Sequence, residues 1–457
     1  MSIDAYLDPS QCPASRPPLE AMSEQTRALH GQIDDRIREA GRGWLHPDSP
    51  TLMEDLLGSP RVVAWQEEKA ARHMLGEACW SELTPLYARY GTMDTIALIQ
   101  KVKAMEAALA AVVTDCGMQA TAVVFDALLA PGAHAILCRQ VYNKSRTYLE
   151  RLLLRIGGKL TVVDDGDFGA IRAAIRPETR LLFAETFTNP RMRVQDPVAL
   201  AALTAEARQT ASGIRLVVDD TIATPWGTHQ PLLTLGVDVV VASGTKALGG
   251  QDRDLWGYAA SNDVRLMNGV MDLLALRGGT LDWRRARAIL AGLGDASARH
   301  EQRCRNAARV ADFLAKHPRV SEVMHPSLPD HPDADVVAAH YARRGSLLSF
   351  RIDGADEAQT QHFADVLATC VVIRYALSFD GLVTKVNHHR TVSEYFTPRP
   401  VLRRNGFDRL VRLGIGLESA ADLCACLNWT LWHGAQISPE ELDGWRESRI
   451  RALRLRD

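Results

Sequence analysis

The stretch Asp238–Gly250, DVVVASGTKALGG, constrains the fold more than any other part of the sequence. Its first part, Val239–Ala242, is an apolar and mostly β-branched run, typical of a strand that is buried on both faces. Lys246 follows within four residues, so we expect it at the carboxyl edge of a sheet, where α/β proteins bind ligands. Burial there would lower the pKa of the amine and make it a usable nucleophile. An isolated lysine is more often a solvated loop residue, so this interpretation depends on the neighbouring segments.

Two other β-like runs end in polar residues in the same way. Leu181–Ala184 leads into a polar stretch, and so does Leu216–Val218. In a parallel sheet the carboxyl ends of all three strands fall on one edge. We therefore expect a group of carboxylate, amide, hydroxyl and amine side chains to converge there: Glu185, Asn189, Asp219, Ser243 and Lys246.

The order of the patterns along the chain predicts the fold class. From residue 135 to residue 242 short apolar runs alternate with helical patterns, which predicts an α/β fold with a mostly parallel sheet covered on both faces. Asp94–Ala130 is helical in pattern, with a break at residues 114–117 and a second helix beginning near Gly117 or Met118. The first backbone N–H groups of that second helix would form an anion site.

The sequence pattern changes after about residue 300. The regular alternation of strands and helices ends there, and a long charged helix begins. Leu347–Ile352 and Arg409–Ile415 are predicted strands, and Ala421–Leu431 is a predicted closing helix. We therefore expect a smaller α+β domain beside the first. The predicted division is an N-terminal extension and helical arm at 1–85, a large domain at 86–295 and a smaller C-terminal domain at 296–457.

Composition excludes several classes of function. The net charge of −2 over 457 residues gives no electrostatic case for nucleic acid or a membrane surface. No apolar run is long enough to cross a bilayer, and residues 1–18 lack the basic start and apolar core of a signal peptide. The eight cysteines show no framework spacing, and Cys424 and Cys426 are expected to pack in a core rather than bind metal. We therefore expect a reduced, cytoplasmic enzyme.

A lysine after one strand and an aspartate after the preceding strand are the two groups that pyridoxal phosphate requires. The lysine forms a Schiff base with the cofactor, and the carboxylate keeps the pyridine nitrogen protonated so that the ring can accept electrons. Lys246 and Asp219 occupy these positions. For Asp219 the alternative is a helix cap. An anion site at the start of the helix near Gly117 would hold the phosphate.

Seven short motifs extend this pattern over most of the chain. Through these motifs the sequence resembles the cystathionine γ-synthase/γ-lyase family, the Cys/Met-metabolism group of fold-type I pyridoxal-phosphate enzymes. Each motif is weak by itself, but all seven occur in the order of the family, between about Leu83 and Leu431. The resemblance implies a large domain of mostly parallel sheet and a smaller C-terminal α+β domain. The motifs are Tyr87-Ala-Arg89, Cys116-Gly117-Met118, Tyr142, Glu185-Thr-Phe-Thr-Asn189-Pro190, Val218-Asp219-Asp220-Thr221 through Pro225, Ser243-Gly-Thr245-Lys246 with Gly249-Gly250, and Arg412-Leu-Gly-Ile-Gly416-Leu-Glu418.

The resemblance implies roles for the residues around the cofactor. Lys246 would carry pyridoxal 5'-phosphate and then remove the Cα proton of the substrate, while Asp219 would pair with the pyridine nitrogen. Asn189 would donate a hydrogen bond to the phenolic oxygen of the cofactor. The other cofactor-binding positions would be the phosphate site, formed by the backbone of Gly117 and Met118 with the hydroxyls of Ser243 and Thr245, and the nearby Cys116, Glu185 and Thr221.

Further roles implied by the resemblance concern the substrate and a second subunit. Tyr142 would stack on the cofactor ring and act as acid or base toward the leaving group; the alternative is a buried core aromatic. Arg412 would bind the substrate α-carboxylate, assisted by Ser378. Tyr87 and Arg89 would reach the phosphate of a neighbouring subunit, which implies a homo-oligomer, a dimer with shared active sites and an expected tetramer; their alternative is an ordinary surface pair.

The pair His388-His389 invites a metal interpretation. No further residues with metal-ligand spacing accompany the two histidines, so we expect no metal there and assign them to a loop near the mouth of the substrate site.

The sequence departs from the family pattern at several points. Cys116 stands where the family usually has serine, Asp220 where it has asparagine, and Phe187 where it has proline. The largest departure follows Ser378, where Phe379–Lys385 (FDGLVTK) replaces an expected Gly-Gly-x-Glu-Ser-Leu. Because this region borders the substrate side chain in the family, we expect an unusual γ-substituted amino acid as substrate.

The expected activity is elimination at the β- or γ-carbon of an L-amino acid. The alternative is γ-replacement, which shares the same machinery. From another class, a catalytically silent homologue is disfavoured because Lys246, Asp219 and Arg412 are all present. A nicotinamide dehydrogenase is disfavoured because no G-x-G-x-x-G follows an early strand.

Overall fold

The central sheet has seven strands in the order β1-β7-β6-β5-β4-β2-β3. The computed structural model describes residues 18–40, 63–64, 66–68, 70–71, 88–370 and 372–453. The strands are β1 (Ala110–Thr114), β2 (His134–Cys138), β3 (Lys159–Val163), β4 (Thr179–Glu185), β5 (Arg215–Asp219), β6 (Val239–Ala242) and β7 (Gly257–Ser261).

Neighbouring strands of this sheet pair in parallel except at β7, which is antiparallel to β1 and β6. Every residue of β1, β2, β6 and β7 is buried, which requires cover on both faces of the sheet. The mostly parallel sheet covered by helices is therefore confirmed. The register pairs Glu185 with Asp219 and Asp219 with Val241, so the carboxyl ends of β4, β5 and β6 lie side by side.

Several helices in this part of the chain begin after a threonine or aspartate whose side chain caps the helix N-terminus. Thr92 caps the helix that precedes β1 through a reciprocal pair of hydrogen bonds with Thr95. Asp167, Asp196 and Asp263 cap three later helices in the same part of the chain. The helices are α1 (Glu24–Ala40), α2 (Met93–Glu106), α3 (Gly117–Leu128), α4 (Asn143–Arg155), α5 (Phe168–Ala174), α6 (Pro197–Ala207), α7 (Val264–Arg277) and α8 (Trp283–Gly292).

The predicted helical pattern over Asp94–Ala130 is wrong at Ala110–Thr114, which form β1. Helix α2 ends because Ala107 adopts the left-handed conformation, with φ of 53°, and its N–H donates to the carbonyl of Lys103. The next residues, AAVVT, then pair with β7 and are fully buried. Neither glycine nor proline marks the end of α2, and alanine favours helices, so the local sequence did not indicate the strand. The second predicted helix does begin at Gly117, as α3.

A second sheet of five strands lies in the C-terminal part, in the order β10-β11-β12-β9-β8. Its strands are β8 (Val320–Met324), β9 (Leu347–Ile352), β10 (Arg374–Tyr375), β11 (Lys385–His388) and β12 (Val411–Gly414). The helices of this part are α9 (Ala296–Ala315), α10 (Ala334–His340), α11 (Glu357–Leu367), α12 (His389–Val392), α13 (Arg399–Asn405), α14 (Ala420–His433) and α15 (Pro439–Ala452).

This C-terminal part has its own hydrophobic core, formed by the second sheet with α9, α11 and α14. The smaller α+β unit and its two predicted strands are therefore present, and Cys424 and Cys426 pack against its core. The domain boundaries stay predictions, because most of the extension at 1–85 lies outside the described residues. Within the described ranges, no helix is long and apolar enough to span a membrane.

We expect Gly244→Ala to destabilise the protein. Gly244 lies between β6 and Lys246, and a Cβ atom there would collide with the buried ring of Trp256. Overpacking of this kind costs about 1–3 kcal/mol. The control is Gly269→Ala in α7, where a Cβ atom meets nothing within 4 Å and alanine should stabilise the helix by about 1 kcal/mol. Urea unfolding of both variants measures the difference, and an unchanged midpoint for Gly244→Ala would contradict this contact.

Candidate active site

Lys246 lies in the turn after β6, at the carboxyl edge of the sheet. Its Nζ donates a hydrogen bond to the hydroxyl of Ser378 and lies 5.2 Å from the ring centre of Phe379. Burial is the main cause that lowers the pKa of Lys246 to about 8, and the positive charge of Arg412 acts in the same direction. A neutral amine is therefore accessible near physiological pH, as a nucleophile or base requires.

Asp219 ends β5 on the same edge. Its Oδ1 accepts hydrogen bonds from the backbone N–H and the hydroxyl of Thr221, at 2.9 and 2.5 Å, which leaves Oδ2 to accept another. Burial raises the pKa of Asp219 to about 6, and burial with the charge of Asp219 raises the pKa of its neighbour Glu185 well above the usual range. A cation beside Oδ2 would relieve this crowding of negative charge. A protonated pyridine nitrogen fits that requirement.

A second acidic layer lies behind Asp219 and was missed as a set by the sequence analysis. Asp220 is buried, and burial with the charge of Glu106 raises its pKa. Glu106 accepts a hydrogen bond from the hydroxyl of Tyr258 at 2.5 Å, and burial raises its pKa to about 7. The aspartate at 220 in place of asparagine was the only signal in the sequence. Glu106 lies more than a hundred residues before Asp220, so the sequence did not indicate that the two carboxyl groups are close together.

The start of α3 forms a narrow cradle. A Cβ atom on Gly117 would lie 2.5 Å from Cβ of Ser243, and one on Gly257 would lie 2.5 Å from Cα of Gly117. Cys116 makes no side-chain capping hydrogen bond, and its carbonyl accepts from the N–H of Gln119 at 3.2 Å, so the N–H groups of Gly117 and Met118 are left for an external acceptor. A phosphate group fits such a glycine-lined helix start.

Thr245 and Ser243, the two hydroxyl residues expected at the phosphate, already make contacts within the protein. Thr245 Oγ1 donates to the carbonyl of Trp256 at 3.1 Å and accepts from the N–H of the same residue at 2.9 Å. Its hydrogen is therefore already used, which disfavours the expected contact with phosphate in this conformation. Ser243 packs against Gly117, and its backbone N–H donates to Thr221 Oγ1 at 2.9 Å.

Arg412 lies on β12 and is 3% exposed. Its guanidinium donates to Oδ1 of Asn189 at 3.2 Å and to the carbonyl of Leu377 at 3.4 Å, while its Nε is buried without an acceptor. Within the described residues, no carboxylate lies within ion-pair distance of Arg412, and burial lowers its pKa to about 10. A buried, uncompensated guanidinium fits the carboxylate of a ligand.

Tyr142 lies at the start of α4, close to the same group of residues. Its backbone N–H donates to Glu185 Oε1 at 2.6 Å, and its side chain is 46% exposed. Partial burial raises the pKa of its hydroxyl, and the positive charge of Arg412 opposes that rise. The stacking of Tyr142 on a cofactor ring and the contact of Asn189 with a phenolic oxygen stay predictions.

Of the two residues predicted to reach a neighbouring subunit, the structure describes one, Arg89. Tyr87 lies outside the described residues. Arg89 is exposed at the surface, donates to the carbonyl of Ala275 at 2.9 Å and stacks over Tyr90. These contacts are all within the chain, so its contact with a second subunit stays a prediction.

The loop assignment of His388 and His389 is wrong. His388 ends β11 and His389 begins α12, and both are buried. The ring nitrogens of His388 are used by Thr391 Oγ1 and the carbonyl of Asp408, each at 2.8 Å. The part of the chain that the structure describes holds no group of three or more residues arranged as metal ligands.

The segment after Ser378 holds site residues that the sequence analysis did not assign. The ring centre of Phe379 lies 5.2 Å from Lys246 Nζ and 5.5 Å from Arg412 Cζ, so one aromatic ring faces both cations. Asp252, Asp380 and Lys385 are hydrogen-bonded to one another and lie close enough to Lys246 for their charges to act on its amine. The departure from the family pattern was a signal for this segment, but the local sequence did not indicate the contacts.

A buried lysine amine, a carboxylate after the neighbouring strand and a glycine cradle at a helix start together define the site of a pyridoxal-phosphate enzyme. The chain belongs to the Cys/Met metabolism PLP-dependent enzyme family, whose model matches residues 75–431. Pyridoxal 5'-phosphate is therefore its cofactor.

Relatives with different activities resemble this chain to similar degrees. Cystathionine gamma-synthase 1, chloroplastic, of Arabidopsis thaliana is 33% identical over 341 residues, which are 74% of this chain and 58% of the plant protein. L-methionine gamma-lyase of Fusobacterium nucleatum subsp. polymorphum is 29% identical over 363 residues, 79% of this chain and 88% of that enzyme. The crystal structure of cystathionine gamma-lyase from Lactobacillus plantarum, complexed with L-serine, aligns with a TM-score of 0.71 at 27% identity over 77% of this chain and 88% of that chain. The chain thus spans less than two thirds of the plant synthase.

We expect the cofactor-free protein to take up pyridoxal phosphate at a rate that rises with pH, is half-maximal near pH 8 and levels off about one pH unit higher. Only the neutral amine attacks the cofactor aldehyde, and the pKa of Lys246 is about 8, so the neutral form dominates above that pH. Stopped-flow absorbance of the yellow product measures the rate. Lys246→Ala is the control and should give no such signal. A midpoint near the ordinary lysine value of about 10.4 would contradict the buried position of the amine.

Proposed function

We propose that the protein is a pyridoxal-phosphate lyase that eliminates a β- or γ-substituent from an L-amino acid. The observation that carries this proposal is that the Lys246 amine and the Arg412 guanidinium both lie near one ring, that of Phe379, at 5.2 and 5.5 Å from its centre. One α-amino acid can then offer its carboxylate to the uncompensated guanidinium and its Cα proton to the amine.

The residues have separate tasks in this proposal. Arg412 binds and orients the α-carboxylate, and Lys246, whose pKa is about 8, removes the Cα proton. Asp219 would accept a hydrogen bond from the pyridine nitrogen of the bound cofactor and so keep that nitrogen protonated. Bound pyridoxal phosphate supplies an electron sink for the charge that develops at Cα. Tyr142 is close enough to Arg412 for their charges to interact, and we assign it the transfer of a proton to the leaving group.

We assign the substrate side chain to a cleft beside this arrangement. A cleft of about 720 Å³ begins beside the site, lined by Asn189 and by Val141 and Asn143, which flank Tyr142. Its volume is in the range of ligand sites in proteins. Apolar residues, among them Phe396 and Phe407, form part of its wall. Charged side chains of both signs also line it, which favours a polar γ-substituent of considerable size: Arg139, Arg146, Arg191 and Arg404 with Glu150, Asp164 and Glu394.

A second candidate function is γ-replacement, in which an incoming nucleophile takes the place of the leaving group. Two observations favour it: the cleft is large enough to admit a second small molecule, and the plant relative at 33% identity is named a cystathionine gamma-synthase. The cofactor apparatus is the same for both reactions. The homo-oligomer with shared active sites and the cytoplasmic location expected from the sequence stay part of the proposal.

We expect Arg412→Ala to weaken substrate binding by about 2–5 kcal/mol, because the carboxylate loses a buried and oriented partner. The effect should appear mainly in KM. Arg409→Ala, an exposed arginine just before the same strand, is the matched control and should leave KM unchanged. A normal KM for Arg412→Ala would remove this residue from the substrate site.

A product assay on the cofactor-loaded protein tests the function itself. A panel of β- and γ-substituted amino acids is supplied with and without a thiol or amine nucleophile, and Lys246→Ala serves as the blank. Elimination releases an unsaturated amine that takes up water, so a 2-oxo acid and ammonia should appear in equal amounts regardless of nucleophile. A new amino acid that forms only with the nucleophile would establish γ-replacement instead. No turnover across the panel, with cofactor bound, would support the silent homologue.

A further inference from the structure

We propose that Lys385, which is buried, and Asp252 form an ion pair that holds the segment 378–384 against the turn of Lys246, and thereby positions Ser378 at the lysine amine. Lys385 and Asp252 are then positioning residues for the reaction. The inference rests on the proposed function only in the role that it gives to Lys246.

The segment 378–384 joins β10 to β11 outside the sheet, so ladder hydrogen bonds do not fix its first residues. Those residues nevertheless contact the site: Ser378 accepts a hydrogen bond from Lys246, and Phe379 faces Lys246 and Arg412. The backbone then turns through the left-handed region at Asp380, where φ is 58°, a conformation that aspartate adopts only at a cost. Contacts elsewhere must therefore keep the segment in place.

The ion pair supplies part of those contacts, together with the hydrogen bonds from Ser346 to Asp380 and from Thr384 to Glu418. Lys385 is 9% exposed, and its Nζ donates to Oδ1 of Asp252 and to the backbone carbonyl of Asp380. The other carboxylate oxygen of Asp252 accepts from the backbone N–H of Leu382 at 3.0 Å. Asp252 follows Lys246 by six residues in the same turn region. One carboxylate thus connects the turn of the lysine to the segment directly at Leu382 and, through Lys385, at Asp380.

A buried arginine strengthens the same connection. Arg303 of α9 donates to the carbonyls of Ala247 and Gly250 in the lysine turn and, at 3.4 Å, to the carbonyl of Gly381 in the segment. A Cβ atom on Gly381 would collide with the carboxylate of Asp252. The turn and the segment are therefore in direct contact, and a glycine is required at the point where they meet.

The charges around Lys246 make the ion pair measurable. Four charged groups act on its amine: Asp380 and Asp252 raise its pKa, whereas Arg412 and Lys385 lower it. Loss of Lys385 alone leaves an uncompensated negative charge, and loss of Asp252 alone leaves an uncompensated positive charge. The two changes must act on the ionisation of the lysine nitrogen in opposite directions.

The test uses the cofactor-loaded protein and the variants Lys385→Met, Asp252→Asn and the double variant. Methionine keeps most of the length of lysine, and asparagine tolerates the left-handed backbone of residue 252, where φ is 56°. The readout is the pH midpoint of the absorbance change of the bound cofactor. We expect Lys385→Met to raise the midpoint by about one unit, Asp252→Asn to lower it by a similar amount, and the double variant to lie near the wild type.

Kinetics supply the second readout. We expect Lys385→Met to lower kcat by about ten- to a hundredfold through misplacement of Ser378, with a smaller change in KM because Arg412 is untouched. Lys385→Arg, which keeps the charge, should recover most of kcat. Lys316→Met is the matched control, because Lys316 forms an exposed ion pair with Asp312 on α9, and it should change neither readout.

Defined outcomes overturn the inference. A folded Lys385→Met protein with wild-type kcat, or single variants whose midpoints move in the same direction, would do so. Should Lys385→Met fail to fold, Asp252→Asn and the double variant decide by the same midpoints. The absorbance titration does not depend on the reaction catalysed, so opposite midpoint shifts without elimination products would contradict the proposed function and leave the ion-pair inference standing.

Discussion

The site depends on the parallel register of β4, β5 and β6. Glu185 pairs with Asp219, and Asp219 with Val241, so the first polar residues after three buried strands meet at one edge. A slip of one residue would turn each side chain to the opposite face of the sheet. Asp220 would then take the place of Asp219, and the carboxyl group that now lies toward Glu106 would face the cofactor site. The burial of apolar side chains on both faces therefore fixes the chemistry as well as the fold.

Burial also shifts the pKa values of the charged residues in the site, so that a ligand of opposite charge would stabilise them. The carboxyl groups of Glu185 and Asp219 have raised pKa values, whereas Lys246 and Arg412 have lowered ones, so in each case the charged form is disfavoured. A protonated pyridine nitrogen would compensate the acidic side, and under the proposed function the α-carboxylate of the substrate would compensate the basic side. The binding of cofactor and amino acid would then depend on the protonation of these four residues, and their charges would select ligands of the opposite sign.

Much of this arrangement could be predicted from the sequence, because it depends on local patterns. Apolar, β-branched runs followed at once by polar residues indicated β4, β5 and β6, and their parallel order followed from the alternation with helices. The strand β1 could not be predicted, since its alanine-rich sequence continues a helical pattern and its stability comes from pairing with β7, about 150 residues away. The layer formed by Asp220 and Glu106 also depends on a contact between distant segments, and the hydrogen bonds that Thr245 makes with Trp256 depend on how the chain turns back between them.

The contacts of the segment after Ser378 could not be predicted from local sequence patterns. Asp252 and Lys385 are separated by 133 residues, and an aspartate in a left-handed turn at 380 reads in the sequence as an ordinary loop residue. The same segment is where the sequence departs most from the family pattern. If residues of this segment border the substrate side chain, as the resemblance implies, one stretch of chain contacts the substrate and also places a hydroxyl at the lysine amine. Substitutions that change the choice of substrate there would then also move Ser378, so specificity and rate could not be altered independently.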